Sequence, residues 1–196
     1  MILILKQWQG RRVFMAKYHI FTDGSARFNP GPGGWGMIVM NEEDTEIFFT
    51  ASDTDELTTN NRMELKAMIC AFEYVENHPH DSFIIYSDST YVVNSVNSWI
   101  CGWAANGWKN SKKQTVENLD CMQMLHSYLT REFFNAEVKK CSGHSGDIGN
   151  ELADAIATQN WKKFGEIAEA WDIINHEREY QEIELAEAGE NWFPID

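Results

Sequence analysis

The order in which two periodicities alternate constrains this chain most. Three short β-type runs come before the first helix-patterned segment, and two more follow with helix-patterned sequence between and after them. Residues 17–22 (KYHIFT) suit a central strand that ends at Asp23, and residues 29–34 (NPGPGG) predict a turn with little room for regular structure. Residues 35–40 and 46–51 read as an antiparallel hairpin around a polar turn. Thr58, Thr59, Asn60 and Asn61 offer capping groups for a helix reaching about His78. Its apolar positions Met63, Ala67, Cys70, Ala71 and Tyr74 recur at three- and four-residue spacing, and Pro79 stops it. A short strand over 82–86 leads through Ser87, Asp88 and Ser89 into a helix holding Val92, Val93, Val96, Trp99 and Ile100. After a loop over 102–113 come an amphipathic helix from about Val116 to Glu132, a strand over 135–141, and a helix from about Gly149 to Phe164. This order suits one α/β domain, a mixed sheet with helices on its faces.

Three acids fall where this reading places strand or helix ends. Asp23 follows the first strand, Asp88 follows the fourth, and Glu64 lies in the first turn of a helix. Ligands of mixed α/β sheets gather outside the carboxyl ends of strands. An acid there also serves as a helix cap or turn former, so Asp23 and Asp88 each have a purely local role open to them. Taken together, the three offer the hard oxygen ligands that Mg²⁺ requires.

The formal net charge of −14 argues against a nucleic-acid partner, because such binding rests on phosphate neutralisation. The charge is unevenly placed, however: residues 162–196 hold 10 Asp/Glu against 3 Lys/Arg, half of the whole excess. The four cysteines (Cys70, Cys101, Cys121, Cys141) form no Cys-x-x-Cys pair, which predicts free thiols in a reducing compartment. Residues 1–5 (MILIL) are apolar, but Lys6, Arg11 and Arg12 follow them, the wrong order for a signal peptide. No apolar run is long enough to cross a bilayer, so a cytoplasmic location without membrane contact is expected.

Four blocks then carry a resemblance. Residues 22–25 (TDGS) with 29–34 (NPGPGG), residues 58–65 (TTNNRMEL), residues 87–89 (SDS), and residues 143–154 (GHSGDIGNELAD) resemble, in order, the signature blocks of type 1 ribonuclease H. The resemblance covers about residues 17–164, and the second and fourth blocks are the most specific. It implies a ribonuclease H-like fold: a five-stranded mixed sheet, three antiparallel strands then two parallel ones, flanked by helices. It also implies hydrolysis of the RNA strand of RNA–DNA hybrids, leaving 5′-phosphate and 3′-hydroxyl ends, with removal of primers or stray hybrids during replication. Asp23, Glu64, Asp88 and Asp154 match the family's metal-binding carboxylates. Two Mg²⁺ ions are implied, with Mn²⁺ as a substitute. His144 matches a loop histidine that assists departure of the leaving group or product. Among these, Asp154 would not be selected from the residues alone, where a solvated helix face is the simpler reading.

For the substrate, Asn29, Asn60 and Asn61 match family positions in the hybrid's minor groove, although helix capping competes at the latter two. Thr59 and Asn118 match positions that bind a DNA-strand phosphate, and Trp99 matches an aromatic lining the DNA channel. The segment 103–113 resembles the family's basic protrusion, yet Ala104, Ala105 and Asn106 stand where lysine or arginine is common, leaving Lys109, Lys112 and Lys113. Fewer phosphate contacts predict a shallower salt dependence.

The expected organisation is an N-terminal appendage over 1–15, a ribonuclease H domain over 16–164, and an acidic helical C-terminal extension over 165–196. That extension is expected to pack on the body through Trp171 and Tyr180, with partner binding or cover of the site as alternatives. The protein is expected to be a monomer. Rival readings are a non-cutting binding module, which would be expected to lack a metal carboxylate, and a resolvase- or integrase-type nuclease, which would not be expected to show the second and fourth blocks together. A released reverse-transcriptase domain is a further rival, and the intact protrusion favours a free-standing enzyme.

Overall fold

The structure is a computed structural model that describes residues 16–132, 134–143 and 146–172. The 1–15 appendage and the expected contact of Tyr180 lie outside the described residues. The elements are β1 (Lys17–Ala26), β2 (Gly31–Asn41), β3 (Ile47–Thr58), α1 (Asn60–Asn77), β4 (Ser82–Ser87) and α2 (Thr90–Asn94). A π-helical turn (Ser95–Trp99) follows, then α3 (Ile100–Ala105), α4 (Leu119–Leu129), β5 (Ala136–Lys140) and α5 (Ile148–Ala157). Residues 161–172 are helical.

The five strands lie in the order β3-β2-β1-β4-β5. β1 to β3 are antiparallel neighbours, while β4 and β5 run parallel to β1. A parallel neighbour needs a crossover connection, and α1 supplies it between β3 and β4. Alternation along β1 then divides the core. Ile20, with Met37 and Val39 of β2, faces α1 and α4, where Leu65, Met68, Phe72, Met122 and Leu125 close a large cluster. Phe21, with Ile38 and Met40, faces the other way, onto Leu152 and Ala153 of α5. The register Ile20↔Val39 and Phe21↔Ile38 keeps both sets aligned.

Several boundaries differ from the sequence reading. β1 runs through Asp23 to Ala26, so Asp23 lies within the strand, paired with Gly36. The stretch expected to be only a turn starts β2 at Gly31. Its glycines pair with Ser25, Ala26 and Thr54, so punctuation-type residues here continue a ladder. The loop expected from Gly102 is helical to Ala105. The single helix expected from Gly149 to Phe164 is two. Thr158 Oγ1 donates to Asp154 O (2.7 Å), Gln159 takes a left-handed φ of 55°, and Asn160 Oδ1 accepts from Lys163 N (3.1 Å) to start a second helix.

Candidate active site

The parallel pairing of β1 and β4 brings two acids to one edge of the sheet. Thr22 stands opposite Ser87 in the ladder, so Asp23, the next residue of β1, and Asp88, the first residue after β4, emerge side by side. Thr22 Oγ1 donates to Tyr86 O (3.1 Å), and Ser87 Oγ accepts from Ser89 N (3.1 Å), which fixes both backbones near their carboxylates.

Glu64 arrives from α1. Thr59 caps that helix, its hydroxyl accepting from Arg62 N (3.3 Å), which places Glu64 one turn in. Gly24 lets the helix reach the strand. A Cβ there would lie 2.1 Å from Glu64 N and 2.3 Å from the carbonyl carbon of Met63. Only a residue without a side chain allows this approach.

Carboxylate oxygens of Asp23, Glu64 and Asp88 all lie within 4.8 Å of one another. Asp23 and Glu64 are 8% and 9% exposed, so the like charges face each other with little water to screen them. Burial first, then the charges of Asp23 and Asp88, push the Glu64 carboxyl up to about 10, with Lys140 pulling the other way. Among the described residues, Glu64 Oε2 is buried with no hydrogen-bond partner. Crowded hard oxygens and an orphaned carboxylate oxygen fit a divalent cation, which would reverse the repulsion.

Asp154 does not join this group. It lies on α5, and its Oδ2 meets Lys163 Nζ at 2.6 Å. Lys163 stands just past the break that ends α5, so this partner becomes visible only once the expected single helix is divided. A second basic residue also escaped the sequence reading. Lys140 pairs in register with Ser87 and donates from Nζ to Asp88 O (2.7 Å), so a lysine flanks the acid cluster at the end of β5. The signal for it was the parallel register of the last strand. His144 lies outside the described residues.

The expected substrate positions divide between groove and scaffold. Asn29, Thr59, Asn61 and Asn118 line one open groove of about 460 Å³, together with Glu117. Asn118 takes a left-handed φ of 50° at the N-terminus of α4. Glu117 went unselected at the sequence level, and its charge is of the sign a phosphate would repel. Asn60 is committed elsewhere, its Oδ1 accepting from Ala26 N (2.6 Å) at the end of β1. Trp99 is 39% exposed and packs obliquely on Trp103, ring centroids 5.5 Å apart. Beyond it, Lys109 and Thr115 pair as an isolated bridge, and Lys109 Nζ also donates to Thr115 Oγ1 (2.9 Å). Lys112 and Lys113 are exposed at the tip between them.

Comparisons with known proteins agree with this geometry. The profile of the RNase H family matches residues 15–162. A ribonuclease H from Herminiimonas arsenicoxydans is 42% identical over 146 residues, covering 74% of this chain and 94% of that protein. One from Mycolicibacterium smegmatis is 42% identical over 140 residues, covering 71% and 84%. Among solved structures, LC9-RNase H1, a type 1 RNase H with the type 2 active-site motif, aligns with a TM-score of 0.61 at 27% identity, covering 73% of this chain and 71% of that one. RNase H1 from the halophilic archaeon Halobacterium salinarum aligns with a TM-score of 0.54 at 25% identity, covering 72% and 94%.

Proposed function

The chain belongs to the ribonuclease H family, a family of endoribonucleases, and on that premise we propose that it hydrolyses the RNA strand of RNA–DNA hybrids. The observation that carries the reading is the convergence of Asp23, Glu64 and Asp88 at the shared edge of β1 and β4. With Asp154 they would hold two Mg²⁺ ions, or Mn²⁺ in their place. Bound by these carboxylates, the ions would supply activation of a water at neutral pH and charge stabilisation for the departing 3′ oxygen, in keeping with 5′-phosphate and 3′-hydroxyl ends. The rest falls to the chain. Asp23 and Asp88 are set by strand backbone, so their spacing is rigid. Glu64 reaches them only because α1 abuts Gly24. Lys140 flanks Asp88, where a positive group would meet the scissile phosphate. His144 would assist departure of the leaving group or product.

Substrate contacts follow from the groove. Asn29, Asn61, Thr59 and Asn118 would hold the hybrid, Asn29 and Asn61 reading minor-groove donors and acceptors and Thr59 and Asn118 a DNA-strand phosphate. Asn60 would support them through the end of β1. Trp99 would line the DNA channel, and Lys109, Lys112 and Lys113 would supply phosphate contacts. We take residues 16–164 as the catalytic domain of a cytoplasmic monomer that clears RNA primers or hybrids during replication, with 1–15 as an appendage and 165–196 as an extension.

The test is incubation with Mg²⁺ and an end-labelled RNA strand paired to DNA, beside single-stranded RNA, duplex RNA and duplex DNA. Cleavage confined to the hybrid's RNA is expected. Hybrid binding without cleavage in either Mg²⁺ or Mn²⁺ would overturn the enzymatic reading in favour of a binding module.

A further inference from the structure

Lys163 lies one residue past the 15–162 span matched by the family, yet its ammonium sits on a carboxylate of the proposed site. This contact is imposed by packing on both sides. Thr158, Gln159 and Asn160 reverse the chain after α5, with Asn160 N donating to Ala155 O (2.8 Å). The 161–172 helix is then seated by Phe164, Ile167, Ala168 and Trp171 against the cluster of Phe21, Ile38, Met40, Leu152 and Ala153. Trp171 Nε1 donates to Asp44 O (3.1 Å), anchoring the helix in the turn between β2 and β3. With both helices held on the sheet, the first turn of one presents Lys163 to the last turns of the other. The pair is only partly screened, its side chains 36% and 23% exposed.

We infer that Lys163 is a built-in competitor for the divalent cation at Asp154, occupying the carboxylate in the metal-free protein and giving it up when a cation binds there. The inference rests on the metal role proposed for Asp154. The two occupants exclude each other on charge: an ammonium bonded to Asp154 Oδ2 takes up an acceptor that a cation needs, and a cation there would repel the ammonium. Lys140, the lysine beside the other acids, donates instead to the main-chain carbonyl of Asp88. The chain therefore has two kinds of cation position. One is the crowded cluster of Asp23, Glu64 and Asp88, which a cation relieves. The other, at Asp154, starts out neutralised and binds a cation more weakly than its ligands alone would allow.

Mn²⁺ titration followed by the electron paramagnetic resonance signal of free Mn²⁺ tests this on the full chain. The proteins are the wild type, Lys163→Gln, Lys163→Arg, Asp154→Asn and the Asp154→Asn/Lys163→Gln double variant. Lys163→Gln is expected to tighten the weaker Mn²⁺ site roughly two- to fivefold, the range an ion pair of this exposure supports. Lys163→Arg, which keeps the charge, is expected to stay near wild type, and Lys163→Gln is expected to change nothing once Asp154 is Asn. Unchanged or weaker Mn²⁺ binding by Lys163→Gln, with the wild type binding Mn²⁺ and cutting hybrid, overturns this inference alone. A wild type that neither binds Mn²⁺ nor cuts hybrid overturns the functional reading and takes the inference with it.

Discussion

On one face of the sheet, Ile20, Met37, Val39 and Ile85 meet α1 and α4 and the segment from α2 to α3, all within the span matched by the family. On the other face, Phe21, Ile38 and Met40 are covered, among the described residues, by α5 and the 161–172 helix, most of which lies beyond that span. The thick face delivers Glu64 and the thin face delivers Asp154, while the sheet itself supplies Asp23 and Asp88. Three acids are thus positioned by a core that lies within the matched span. The fourth lies on α5 and is paired with a residue of the 161–172 helix, most of which lies beyond that span. The same difference appears in the electrostatics: the first three crowd one another, with Glu64 Oε2 buried and without a hydrogen-bond partner among the described residues, whereas Asp154 is neutralised by Lys163.

The hardest test of this division is Asp23→Asn. It removes a proposed metal ligand from the sheet itself and is expected to lower hybrid cleavage roughly a thousandfold or more, since a bound cation contributes several kcal/mol of transition-state stabilisation. The same change should raise the melting temperature in EDTA by a few degrees, about 1 kcal/mol, because it relieves repulsion on Glu64. Gel assays and calorimetry read the two effects. Full activity in Asp23→Asn would mean that the strand edge is not where the chemistry happens.

Truncating one aromatic on each face comes next. Phe72, fully buried on α1 with its ring centroid 4.6 Å from that of Phe134, should cost about 3–5 kcal/mol as Ala in urea denaturation. Trp171, half-buried and bonded through Nε1 to Asp44 O, should cost less, about 1–3 kcal/mol. An equal or larger loss at Trp171 would make the 161–172 helix as much a part of the core as α1.

The contrast between faces also explains what could be read from the sequence. The thick face and the edge acids were legible because their signals are local or repeat regularly. Three- and four-residue spacing marked α1, and Asp23, Glu64 and Asp88 each sit beside an element end with capping or turn residues. The family blocks added Asp154, which periodicity would have left on a solvated helix face. The thin face was less legible. Apolar spacing runs on from α5 through Trp161 to Phe164 without a Pro or Gly to interrupt it, so the left-handed Gln159 was hidden and the partner of Asp154 with it. The glycines over 31–34 misled in the opposite sense, since they serve a strand packed closely by α5. Lys140 needed the β4–β5 register, which no local pattern encodes.

Gly36 tests the close packing of the thin face directly. A Cβ there would lie 2.6 Å from Ala153 O and 2.9 Å from Ala157 N, both backbone atoms of α5. Gly36→Ala should therefore lift α5 from β2, at about 1–3 kcal/mol by the usual cost of overpacking. It should also lower hybrid cleavage, because Asp154 rides on the displaced helix. A loss of stability with unchanged activity would uncouple the position of α5 from the chemistry.

The smallest expected effect belongs to an ion pair that ties two helices of the thick face together. Arg62 of α1 forks onto Asp120 of α4, Nη1 to Oδ1 at 2.9 Å and Nη2 to Oδ2 at 2.5 Å. The Arg62 hydrogen bond, opposed by burial and helped by the Cys121 backbone N–H, holds the Asp120 carboxyl down to about 2. A carboxyl held lower in the folded than in the unfolded chain stabilises above its unfolded value, about 3.9, and loses that contribution as pH falls through about 2. The Asp120 side chain is 63% exposed, so solvent screening discounts the shift and the contribution at neutral pH should be about 0.5 kcal/mol. Urea midpoints of wild type and Asp120→Asn should differ by that amount at pH 6 and converge near pH 2. Glu64 carries the opposite sign. Its raised carboxyl makes the metal-free protein lose stability as pH climbs from about 4 towards about 10, a loss that Glu64→Gln should remove in EDTA. Opposed pH slopes from two acids that touch the same helix would separate the part of α1 that holds the fold from the part that holds the site. Parallel slopes would mean that the carboxylate cluster is not under strain.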